Sequence, residues 1–179
     1  MKPLLVWMLL ASLSAVNAQT NLDSRAADAE AAAARPLARL FAPSPDQAFR
    51  TAVSESGFPR LYRAVSEPKN SGTETPAGLR REGAWTYAKD PIPVTEADLR
   101  ELQRIFAAER PFSPGDVSPC SSFRPAFLIE WTSAKATWLM HVGMDCQEAD
   151  IRGPDVEMHR YLMPTTYGKL AAVLSRYTR

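Results

Sequence analysis

The stretch Phe123–Cys146, FRPAFLIEWTSAKATWLMHVGMDC, decides the fold. Two apolar runs flank Thr132, Ser133, Ala134, Lys135, Ala136 and Thr137, the pattern of a β-hairpin. If Thr132 faces Thr137 across a four-residue loop, Trp131 meets Trp138, Ile129 meets Met140 and Phe127 meets Val142. Directly paired residues project from the same side of a sheet, so these large apolar side chains share one face. Leu128, Glu130, Leu139 and His141 share the other, and a one-residue slip would mix the two sets. The hairpin at 126–143 is therefore the expected centre of a small, mainly antiparallel sheet. The same register puts Arg124 opposite Asp145 and brings Cys120 near Cys146 at the hairpin base.

An apolar sheet face needs a cover, and helix signals supply it. Ser44, Pro45, Asp46 and Gln47 give an N-cap, a proline at the first helical position and a glutamine three residues after the cap; the pattern closes at Gly57, with Phe49 and Val53 on one face. Thr95 caps a second helix running to 109, with Glu96 and Asp98 in its first turn and a stripe of Leu99, Leu102, Ile105 and Phe106. A third runs from Thr165 to Tyr177 with Tyr167, Leu170, Val173 and Leu174 at the same spacing. Leu61–Ser66 and Ala84–Ala88 read as short strands, and Glu67–Glu82, without apolar rhythm, as a long exposed loop. The expected fold class is α+β, a small antiparallel sheet covered by two or three amphipathic helices.

Upstream, Met1–Ala18 reads MKPLLVWMLLASLSAVNA, with Lys2, an apolar run and a small-residue end, the layout of a secretory signal peptide. The run is shorter than the roughly 18 residues that cross a bilayer, so no membrane span is expected. Residues 19–43 are polar and alanine-rich, a flexible or helical spacer, and 44–179 form the expected single globular domain. The chain carries 21 Lys and Arg against 20 Asp and Glu, and loss of Lys2 balances them, which argues against a nucleic-acid partner. Export, to the periplasm or beyond it, places the only two cysteines in an oxidising compartment, where Cys120 and Cys146 are expected to form a disulfide. Redox work favours a CxxC pair and metal binding favours four close ligands, and neither pattern occurs.

Cys120, Ser121, Ser122, Phe123, Arg124 and Pro125, leading into an aromatic hairpin that returns to Cys146, Gln147 and Glu148, resemble small exported bacterial proteins with a disulfide-clasped aromatic hairpin. The resemblance spans at most Thr95–Glu148 and implies no particular activity. In such proteins the returning strand can end in two closely spaced cysteines; here only Cys146 is present, which speaks against a metal or redox role.

Chemistry-bearing residues are few. His141 lies diagonal to Glu130 on the outer hairpin face, the arrangement of a general base held by a carboxylate and equally of an ordinary surface pair. His159 is expected beside a strand or turn. GxSxG, phosphate-loop, HExxH and EF-hand patterns are absent. Asp145, Glu148, Asp150 and Asp155 read as a solvated acidic turn rather than a calcium loop. Arg80 and Arg81, with Arg60 and Arg63, could bind a carboxylate or phosphate, although interspersed glutamates favour mixed surface charge. Of the aromatics, Trp85 and Tyr87 are candidates for a cleft, whereas Trp131 and Trp138 belong to the core. No cofactor or metal is expected, and the oligomeric state is not legible. The expected function is a non-enzymatic exported protein that binds another protein or a cell-envelope component. The alternatives are an envelope-polymer hydrolase using His141 and Glu130, and a structural accessory domain of an envelope assembly.

Overall fold

The computed structural model describes residues 43–65, 75–114 and 123–178. Residues 1–42, which hold the expected signal peptide and all but the last residue of the expected spacer, lie outside them, as does Cys120; the elements below all belong to the unit Ser44–Arg179. In chain order these are α1 (Pro45–Glu55), β1 (Arg60–Arg63), β2 (Leu79–Glu82), β3 (Trp85–Ala88), α2 (Glu96–Ala107), β4 (Phe127–Thr132), β5 (Thr137–Gly143), β6 (Glu148–Arg152), β7 (Glu157–Tyr161) and α3 (Pro164–Leu174), followed by a 3-10 turn at Ser175–Tyr177. The fold is α+β, with an antiparallel sheet in the order β1-β4-β5-β6-β7 and a second, two-stranded sheet β2-β3. No helix among the described residues is long and apolar enough to cross a membrane.

The hairpin has the expected register: Trp131 pairs with Trp138, Ile129 with Met140, and Phe127 with Val142. These side chains join one core with Phe49 and Val53 of α1, Leu102 and Phe106 of α2, and Leu170 and Leu174 of α3. The indole of Trp131 takes the edges of Phe49 and Phe106, each at a ring separation of 5.5 Å, a geometry that suits the charge distribution of aromatic rings. Both predicted caps form, since Ser44 Oγ accepts from the Gln47 N–H and Thr95 Oγ1 from that of Asp98. Leu99 is only half-buried, whereas Asp98 is buried where it meets Arg176 and Tyr177.

The other face of the sheet differs from expectation. Leu128 is fully buried in a second, smaller core with Tyr62 and Tyr87, because the β2-β3 hairpin lies over it. Past β1 the chain leaves the large sheet for the small one: Ala64 bridges to Tyr87, and the Val65 N–H donates to the Thr86 carbonyl at 2.8 Å. The segment expected as a loop to Glu82 thus ends in a strand, β2, within which Arg80 pairs with Tyr87 and Glu82 with Trp85. Strand alternation aims Arg80, Glu82, Trp85 and Tyr87 at one side. The expected acidic turn is likewise replaced in part by β6, whose Asp150 and Ala149 face His141 and Val142 of β5.

Candidate functional site

The layer between the large sheet and the β2-β3 hairpin is polar as well as aromatic. Alternation along β4, β5 and β6 sends Glu130, His141 and Glu148 to this side, and all three are buried. Buried charges need partners. Glu130 receives one from Arg80 Nη1 at 2.9 Å, with the Tyr62 hydroxyl and Arg60 each 3.5 Å from its other oxygen. Arg80 also donates to Glu82 at 2.5 Å and lies 4.5 Å over the Tyr62 ring.

His141 has no exposed surface, and its Nδ1 lies 2.5 Å from the Tyr87 hydroxyl. Burial pushes its pKa down to about 4; the Arg152 charge adds to that, and Asp150 partly offsets it. Burial also raises the Tyr87 pKa. With both groups neutral, the phenol O–H donates to Nδ1 and the ring proton resides on Nε2, which has no hydrogen-bond partner. His141 and Glu130 therefore share a face, as the register requires, but each is committed elsewhere, His141 to Tyr87 and Glu130 to Arg80. At the far edge, half-exposed His159 lies between Asp150 and Glu148, at 2.5 Å through Nδ1 and 3.4 Å through Nε2, and Tyr161 donates to Glu148 at 2.7 Å.

A cleft of about 680 Å³ opens where β1 passes over to β3. Arg63 reaches it from the last position of β1 and donates to the Tyr177 carbonyl at 2.6 Å. Trp85 forms part of its wall, braced edge-on by Phe123 at 5.8 Å. Phe123 is in turn seated on Gly143, where a Cβ would come within 2.8 Å of its ring. Arg124 follows Phe123 directly and stands exposed on the cleft, not paired with Asp145 as the hairpin register suggested. Of the four arginines grouped from the sequence, Arg63 alone lines this cleft.

No family model, curated protein or solved structure matches the chain. A second cleft, about 560 Å³, contains Asp46 and Glu109 beside Arg50 and Arg110, so its charges compensate one another. Among the described residues, no group of three or more His, Cys, Asp or Glu is placed to hold a metal ion. Cys146 is buried and is not a free thiol; its expected partner Cys120 lies outside the described residues. The sequence reading did not place Arg124 on a cleft, because a surface arginine next to a proline carries no local signature of the cleft it will face.

Proposed function

We propose that this is an exported binding protein of the periplasm that holds another protein or a cell-envelope component at the Trp85–Arg124 cleft without transforming it. The observation that carries this reading is the cleft itself, whose size falls in the range of ligand sites and whose lining combines an aromatic wall with arginine. The hydrolase reading requires a histidine with an available lone pair near neutral pH beside a reacting group. His141 is sealed beneath β3, and its Nδ1 is engaged by Tyr87. Export itself follows from the signal-like start.

The test is capture from the native envelope fraction with tagged mature protein, comparing wild type, Trp85→Ala and His141→Gln. The expected result is a stoichiometric component held by wild type and by folded His141→Gln but lost from Trp85→Ala. Turnover of an envelope polymer that disappears in His141→Gln while folding persists would restore the hydrolase reading.

A further inference from the structure

The β2-β3 hairpin lies over the large sheet with its backbone attached at its base. The chain leaves the large sheet between Ala64, whose N–H bonds the Ala126 carbonyl, and Val65, whose N–H bonds that of Thr86 in β3. It is held to β1 again at Ile92, whose N–H bonds the Leu61 carbonyl. Between these two points, side-chain bonds tie the hairpin down: Tyr87 to His141 at 2.5 Å and Arg80 to Glu130 at 2.9 Å. The first of them holds only while His141 is neutral, because a protonated ring has no lone pair to accept the phenol proton.

Protonation would place two N–H groups in a site without exposed surface, where Nε2 already lacks a partner. The charged groups acting on the ring are Asp150 and Arg152 from β6 and Arg80 and Glu82 from β2; β4 presents Leu128 opposite it and Glu130 diagonally. Each carboxylate is engaged: Asp150 by His159 of β7 at 2.5 Å, Glu82 by Arg80 at 2.5 Å, and Glu130 by Arg80, with the Tyr62 hydroxyl of β1 at 3.5 Å. Arg152 repels an imidazolium. A buried charge without a partner is relieved by water, and β3 is what seals His141 from it. We infer that the β2-β3 hairpin is an acid-opened cover, which lifts as a unit from His141 about the Ala64–Val65 junction and Ile92. Trp85 belongs to β3, so the opening also takes away a wall of the cleft. That consequence rests on the binding reading above; the opening does not.

The experiment is amide hydrogen exchange of untagged mature protein at pH 7.5, 6 and 5, each rate divided by the intrinsic rate at that pH, in wild type and His141→Gln. Protection in β2 and β3 is expected to lie below that of β4 and β5 throughout, the mark of an opening short of global unfolding. From pH 7.5 to 5 it should fall about thirtyfold in wild type, the ratio for a histidine that titrates near 6.5 when uncovered and at about 4 when covered. His141→Gln should remove that fall. Val65 and Lys89, bonded to Thr86 and Gly78 within the small sheet, should exchange with the hairpin, and Ala64 and Ile92 with the large sheet. Equal protection in both sheets, a β2-β3 opening indifferent to pH, or the same fall in His141→Gln each overturns the inference. Because the chain has two histidines, the imidazole signals of wild type decide the matter even if the variant does not fold: a His141 ring that titrates near 6.5 while β2 and β3 stay protected also overturns it. No ligand enters this test, so its failure leaves the binding reading standing, and failure of Trp85-dependent capture leaves the opening standing.

Discussion

Burying His141 ties the stability of the molecule to pH. In an unfolded chain a histidine titrates near 6.5, whereas in the fold His141 does so at about 4. Above pH 6.5 both states are neutral there and the native state keeps its full advantage. Between about 6.5 and 4 only the unfolded chain takes up the proton, so stability falls by about 3 kcal/mol and levels off below that window. Urea denaturation from pH 7.5 to 4 should show this fall in wild type and a flatter profile in His141→Gln. Superimposable profiles would mean that His141 is not sealed from protons. Tyr87→Phe acts on the same bond from the other side: it leaves Nδ1 of a fully buried imidazole without its donor, at an expected cost of about 1–3 kcal/mol. That loss should appear as a lower urea midpoint at pH 7.

The β2-β3 hairpin is attached through that bond, through the Arg80–Glu130 pair, and through the Gly83 turn. Gly83 has φ +62°, and a Cβ there would come 2.3 Å from Arg152 Nη1. Gly83→Ala must therefore adopt an unfavourable left-handed conformation and displace the guanidinium, an expected loss of about 1–2 kcal/mol. Hydrogen exchange should place that loss in β2 and β3, with β4 and β5 protected as before; uniform loss across the large sheet would show that the hairpin is not a separate cover. This element also marks where sequence reading stops. The β4-β5 register was legible because six large apolar residues sort onto one face in only one pairing. β2, with Arg80, Arg81 and Glu82 in four residues, has no apolar rhythm, and its Arg80 is matched by Glu130 of β4 and Tyr62 of β1, far away in sequence. β6 was missed for the same reason: Glu148 and Asp150 look like turn residues until Tyr161 and His159 are placed beside them. Leu128 and Leu139 held a clue to the second core, because strands apolar on both faces are covered on both.

At the scale of the whole molecule, the cleft depends on how the chain between α2 and β4 is held. Ser113 N–H bonds the Tyr161 carbonyl and Phe112 bridges Leu162, which fixes where the chain leaves the edge of β7. It returns at Phe123, wedged between Gly143 and Trp85, with Arg124 next on the cleft. Cys120 precedes Phe123 by only three positions, so a disulfide to Cys146 would restrict the return beside Arg124 on the cleft. In the chain-entropy view, closing a loop of this size contributes roughly 3–4 kcal/mol by narrowing the unfolded ensemble. Peptide mapping without reductant should yield a single cross-linked pair containing Cys120 and Cys146, and replacing both with serine should lower the melting temperature. Because Cys120 is three positions from Phe123 in sequence, the double-serine variant should also lose cleft affinity at temperatures where it remains folded, and it should do so without a change at Trp131. Those two effects separate a positioning role from a purely entropic one: a lower melting temperature with wild-type affinity assigns the disulfide to the unfolded state, whereas loss of both assigns it to the cleft as well.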